Sequence, residues 1–175
     1  MNYRLGLMEK QMTTINFTFA DFIVAVKDAD NRHFRSVLRN FNDSKMARIA
    51  YATELENEVI GAFGEIAVAR YFSLRETLTN ETFTAKSDLP NNLNVRATKW
   101  PYGKLFIYKK DRDELNTVFV TIKPIMDDPR GGWLQAELKG WIANKDAKRP
   151  DLWSENLNTP AYAITQNLLR PITEL

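Results

Sequence analysis

The chain contains no cysteine and a single histidine, His33. The first absence excludes disulfide frameworks, zinc–thiolate sites and cysteine nucleophiles, and the second excludes any centre that needs several imidazoles. A metal, if the chemistry uses one, must be held by oxygen atoms, which favours Mg²⁺ or Mn²⁺. No apolar run approaches the roughly 18 residues of a membrane span, and Met1 to Met12 is interrupted by Arg4, Glu9 and Lys10, so neither an anchor nor an apolar leader is expected. A strong charge of one sign is missing too: the formal net charge is only +2, far from that of a protein that coats nucleic acid. With 44% hydrophobic and 26% charged residues, the 175-residue chain has the composition of a folded protein rather than a disordered one. Its length suits one domain spanning residues 1–175.

Apolar periodicity divides that domain into a helical first half and a strand-rich second half. Thr18, with Asp21 three residues on, predicts an N-cap. Phe22, Val26, Phe34, Val37, Leu38 and Phe41 then recur at helical spacing, predicting one helix or two short ones over Ala20 to Asn40. Phe41 to Ser44 reads as a turn. From Lys45 to Phe72 the period is again helical, with Ile49, Leu55, Val59, Phe63, Ile66, Ala67 and Tyr71 on one face. Gly61 and Gly64 interrupt it at a cost of about 1 kcal/mol each relative to Ala, which points to close packing against a sheet or ligand. Beyond Ser73 the period shortens to two. Strands are predicted at Glu81–Ala85, Leu93–Thr98, Lys104–Lys109, Thr117–Lys123 and Leu134–Ala143. Turn chemistry occupies Lys86 to Asn92, and a loop Pro124 to Gly132. Lys148 to Trp153 opens an irregular tail that ends in Ala161–Ile164 and a short helix at Thr165–Leu169. The expectation is α+β: one curved mixed sheet with helices packed on it, divided into an N-terminal helical extension (1–44), a core (45–143) and a C-terminal tail (144–175).

The chemistry concentrates around one strand. Alternation puts Leu93, Val95 and Ala97 on one face of Leu93–Thr98, and Asn94, Arg96 and Thr98 on the other. Asp88 precedes Asn94 by six residues, enough to turn a corner and bring a carboxylate beside them. Glu65 lies on the preceding helix. Acidic oxygens can hold a hard cation, the cation lowers the pKa of a bound water, and a neighbouring side-chain cation steadies charge developing on a phosphate. The carbonyl of Val95 is a natural further ligand. Between Thr84 and Pro124 there are eight basic and four acidic side chains, a local excess of four positive charges that suits a phosphate-binding surface as well as a solvated hairpin.

Plainer readings stand beside these. Glu65 also fits a helix-surface carboxylate, Asp88 a turn former, Arg96 a surface strand cation, and Thr98 a structural residue. Trp100, Trp133, Trp141 and Trp153 are expected to pack in the core or at its rim rather than to stack on bases. His33 reads as a partly exposed helix residue.

The ordered series Gly64-Glu65 on a helix, then Asp88, then Asn94-Val95-Arg96 on a strand resembles the PD-(D/E)XK nuclease superfamily, in particular its small phage-type members. Gly140-Trp141-Ile142 and Lys148 to Trp153 are similar to such proteins as well. The resemblance spans about Glu58 to Ile142. It implies a restriction-endonuclease-like sheet core and cleavage of DNA with Mg²⁺ or Mn²⁺. Asp88 and Glu65 would hold the metal, with Asn94 and the Val95 carbonyl completing its shell. Arg96 would stabilise the phosphate, and Lys99, Lys104, Lys109 and Lys110 would contact the DNA backbone. A phage origin, action in the host cytoplasm, and the homodimer that many such enzymes form are implied in the same way.

Two positions depart from that pattern. Asn94 stands where an acid is expected and brings a neutral oxygen, which lowers metal affinity. Arg96 stands where a lysine is expected; it stays charged at any working pH, cannot act as a base, and can clamp a phosphate bidentately. An active nuclease with an altered site therefore stands beside a catalytically silent module that binds DNA or a host protein.

Overall fold

The computed structural model describes residues 13–40, 47–74, 87–124 and 134–175. In chain order its elements are β1 (Thr13–Asn16), α1 (Phe19–Asn40), α2 (Ala47–Tyr71), β2 (Leu93–Thr98), β3 (Leu105–Ile107), β4 (Asn116–Pro124), β5 (Leu134–Ala143), the single-turn α3 (Asn144–Ala147), β6 (Trp153–Ser154) and β7 (Ala161–Ile164). The predicted strand at 81–85, the turn at 41–44, most of the loop after Pro124, Trp133 and the side chains of His33, Phe34, Val37, Leu38 and Ile49 lie outside the described residues. Among those described, no helix is long and apolar enough to cross a membrane.

The fold is α+β, but its strands form two sheets rather than the single sheet expected. A four-stranded mixed sheet runs β1-β5-β4-β2, and a three-stranded sheet runs β3-β7-β6. Among the described residues β2 is the outermost strand of this sheet, parallel to β4, with Asn94 beside Thr117 and Arg96 beside Phe119. β3 leaves this sheet to pair with β7, so Ala161–Ile164 is a strand in a small antiparallel sheet and not part of an irregular tail. Trp153 stacks edge-on against Tyr162 at 4.9 Å where β6 meets β7. The helix expected at Thr165–Leu169 is reduced to a 3₁₀ turn at Gln166–Leu168. Beyond it the chain returns to the main sheet, where Trp141 and Arg170 exchange backbone bonds of 3.0 and 2.8 Å. Gly140, at φ +134°, makes that approach possible, since a Cβ there would lie 2.3 Å from the Arg170 carbonyl oxygen.

The predicted capping box forms. Thr18 Oγ1 donates to Asp21 Oδ2 at 2.7 Å and accepts from the Asp21 N–H at 3.3 Å, so the start of α1 is satisfied locally. Over the described side chains of α1, up to Arg32, the predicted burial is reversed, however. Phe22 and Val26 are 43% and 36% exposed, while Asp21, Ala25, Asp28, Ala29 and Arg32 form the buried face. What α1 meets explains this, because α2 presents charged groups to it: Arg70 forks onto Asp21, and Glu65 onto Arg32. Small Ala25 and Ala29 let the helices approach closely enough for these contacts.

α2 differs from expectation as well. Instead of one apolar face, every residue from Ala62 to Ala69 is buried, since α2 lies between the main sheet and α1. Gly64 makes the sheet contact possible: a Cβ there would stand 2.7 Å from Ala97 Cβ and 3.2 Å from Val95 Cγ1. At Gly61 a Cβ would meet nothing within 4 Å. Opposite outcomes are therefore expected for one substitution. Gly61→Ala should stabilise by about 0.5–1 kcal/mol through helix propensity, whereas overpacking makes Gly64→Ala destabilise by about 1–2 kcal/mol. Urea midpoints of the two variants check this, and equal shifts would contradict the close α2–β2 contact.

Candidate functional site

Local backbone geometry delivers Asp88 to its place. Asn91 and Asn92 both take left-handed conformations (φ 62° and 58°), which Asn tolerates better than most residues. They fold the chain back so that Leu89 N–H reaches the Leu93 carbonyl at 3.0 Å. Asp88 then sits beside the edge of β2 that faces away from β4, where Oδ2 accepts the Val95 N–H at 2.8 Å. Both backbone groups of a strand residue point to the same side, and Val95 N–H points away from β4. The Val95 carbonyl therefore lies on that edge too.

Glu65 approaches the same corner from α2, near enough for its charge and that of Asp88 to repel. It is not a surface carboxylate, and both of its oxygens accept from a guanidinium. It is 5% exposed, and Arg32 donates from Nη1 to Oε1 at 2.7 Å and from Nη2 to Oε2 at 2.6 Å. Arg32 Nη2 also stands 2.6 Å from Asp28 Oδ2. Burial would by itself lower the Arg32 guanidinium; the fork onto Glu65, together with Asp28, overrides it and holds Arg32 above its ordinary value. Burial pushes the Glu65 carboxyl up to about 7 against the pull of Arg32, and Asp88 and Asp28 push in the same direction.

Asn94 and Arg96 extend from the face of β2 opposite Val95 and α2. Asn94 is buried beside Thr117, whose hydroxyl donates to Asn144 Oδ1 at 2.7 Å. Arg96 is partly exposed and reaches Asp111 Oδ1 only at 3.5 Å, while its buried Nε has no hydrogen-bond partner among the described residues. Burial raises the Asp88 carboxyl; the Val95 N–H, Arg96 and Arg32 oppose this, and Asp111 adds to it. The corner thus brings together the predicted Glu65, Asp88, Val95 and Arg96, from two sides of one strand.

Three charged members of the corner had no signal in the sequence. Asp28 and Arg32 are four residues apart on a helix whose buried face was expected to be apolar. Asp111 is one charge in a strongly charged run, held in place by the Tyr108 N–H at 2.9 Å. Arg96, Arg32 and Asp111 act on the Asp88 carboxylate, and Arg32, Asp88 and Asp28 on that of Glu65. Among the described residues, no three acidic or histidine side chains group closely enough to hold a metal by themselves.

The predicted DNA-contacting lysines divide into two pairs. Lys99 bonds Glu56 at 2.7 Å and flanks the β2–β3 turn with exposed Lys104. Exposed Lys109 and Lys110 follow β3, with Lys109 Nζ 4.2 Å above the Trp153 ring. Of the tryptophans, Trp141 is buried as expected, whereas Trp100 is 66% exposed. A depression of about 490 Å³ lined by Lys145, Asp146, Arg149 and Arg170 lies apart from this corner. No family model matches the chain, and neither a curated protein nor a solved structure resembling it was found.

Proposed function

We propose that this protein is a DNA-cleaving enzyme of the PD-(D/E)XK type, with a restriction-endonuclease-like core and an altered active site, acting with Mg²⁺ or Mn²⁺ in the cytoplasm of a phage host. The observation that carries this reading is the meeting of Asp88, the backbone of β2 at Val95, and Arg96 at one corner, with Glu65 close behind. The donor set suits a hard cation. Mg²⁺ is commonly bound by one or two carboxylates with water and substrate phosphate rather than by an all-protein cage, and this corner holds the partly desolvated carboxylates of Asp88 and Glu65. Asp88 and the Val95 carbonyl would hold the ion, and Glu65 would reach it through water while Arg32 keeps its fork. Such an ion would lower the pKa of a bound water and so favour the hydroxide that attacks a phosphodiester. Arg96 binds the phosphate, since its guanidinium is only weakly engaged by Asp111.

A second reading, a silent module that binds DNA or a host protein, is favoured by one observation: Arg32 occupies both Glu65 oxygens. Two measurements decide between them. Plasmid nicking in Mg²⁺ or Mn²⁺, abolished by EDTA, is expected under the first reading only. Affinity for DNA that falls steeply with added salt, and falls further when Lys104, Lys109 and Lys110 are changed to Glu, is expected whenever DNA is the ligand. Absence of both would remove DNA from the account and leave a protein partner.

A further inference from the structure

Two aromatic rings stand in solvent on the turn between β2 and β3: Trp100 is 66% exposed and Tyr102 is 96% exposed. Their exposure does not come from a loose backbone. Thr98 Oγ1 accepts the Trp100 N–H at 3.2 Å, and the Gly103 N–H closes the turn onto the Trp100 carbonyl at 3.0 Å. Gln166 Nε2 then holds the turn from the C-terminal segment, donating to the Pro101 carbonyl at 2.7 Å and to the Gly103 carbonyl at 3.1 Å. Pro101 restricts φ within the turn. The rings are therefore carried on an ordered support, and little further backbone entropy is lost when a ligand docks.

Charge identifies the ligand. Lys99 precedes Trp100, with Nζ 5.8 Å from its ring, and exposed Lys104 follows Gly103. The Lys99–Glu56 pair lies at the surface, where such pairs contribute little and exchange readily. Rings flanked by cations suit a ligand with flat faces on an anionic backbone. Arg96 stands four residues before Trp100, so at about 3.3 Å per residue the two are at most ~13 Å apart. A nucleic-acid strand whose phosphate meets Arg96 passes the rings a few nucleotides further on. In a duplex the base faces are stacked and hidden, so the strand offering them is unpaired.

The geometry points to a stacking platform, formed by Trp100 and Tyr102, for the bases of single-stranded DNA. This deepens the nuclease reading and relies on it only for the path of the strand past Arg96. The test uses the full chain in EDTA, with fluorescence anisotropy on three labelled probes: a twelve-residue oligothymidylate, a strand of equal length made wholly of abasic residues, and a duplex of the same length. The wild type is expected to bind oligothymidylate most tightly and to show tryptophan quenching. Trp100→Ala and Tyr102→Ala should each weaken that binding roughly tenfold, leave binding of the abasic strand unchanged, and keep the wild-type Tm because both rings are exposed. Equal affinity for the oligothymidylate and abasic strands would overturn the platform, as would ring variants that bind like the wild type. No affinity for any probe would overturn it too and assign the rings to a protein partner. Metal-dependent nicking is scored separately, so a stacking preference without nicking refutes the nuclease reading alone, and nicking without a stacking preference refutes the platform alone.

Discussion

Changing Asp88 to Asn is expected to reduce Mg²⁺-dependent plasmid nicking by at least ~100-fold while leaving the chain folded. The amide keeps an oxygen that can accept the Val95 N–H, so the turn that positions residue 88 retains its bond. Only the negative charge is lost, and it is the charge a hard cation needs. Asn94→Asp works in the opposite direction, adding a carboxylate at a buried position on the strand that carries Val95 and Arg96. Without metal that variant should have a lower Tm than the wild type, because a carboxylate is placed at a buried position. With Mg²⁺ it should gain more in Tm than the wild type and nick faster. Since burial already raises Asp88, metal binding and nicking should both strengthen as pH rises and the carboxyl ionises. Equal nicking by the wild type and Asp88→Asn would mean that the activity is a contaminant and the assignment of the corner is wrong. DNA binding without nicking, in the wild type and in Asn94→Asp alike, would select the silent module.

Arg32→Leu should be among the most damaging single changes, costing about 3–5 kcal/mol. It leaves Glu65 and Asp28 buried without their cation. Changing both partners, Arg32→Leu with Glu65→Leu, should recover much of that loss, because an apolar pair needs no solvation. The wild type carries a pH signature of the same pair. Glu65 is raised from its ordinary value of 4.5 to about 7, so the folded state binds its proton more tightly than the unfolded chain does. The resulting stability is fully present below about pH 4.5 and is lost as pH rises through about 7. Urea unfolding of the wild type should therefore show stability declining across that window, and Glu65→Gln should flatten the decline. A wild type whose stability rises across the window would show that Arg32 holds Glu65 ionised throughout.

The strands around the site were legible because alternation is a local property. β2 and β5 begin and end where the sequence places them, at Leu93–Thr98 and Leu134–Ala143. The cap at Thr18 and Asp21 was legible for the same reason, since three residues suffice to make it. The close packing at Gly64 could be read from the cost of a glycine in a helix, although the same signal at Gly61 marks no such contact. The separation of β3 from the main sheet could not be read. Its three residues alternate as they would in either sheet, and the choice rests on β7, more than fifty residues later.

By itself the sequence determined the local elements and the chemical groups they carry: an acid on a helix, an acid in a turn, and an amide and a guanidinium on one face of a strand. Tertiary structure alone decided what those groups meet. It turned the polar side of α1 inward, so that Arg32 reaches Glu65 across 33 residues of chain, and left Phe22 and Val26 partly exposed. It also buried α2 on all sides from Ala62 to Ala69 and left Trp100 in solvent. The physical reason is desolvation. Periodicity records which side chains share a face, but the charge state and reach of a carboxylate depend on how much water and which counter-charge remain beside it, and both are set by elements distant in the chain.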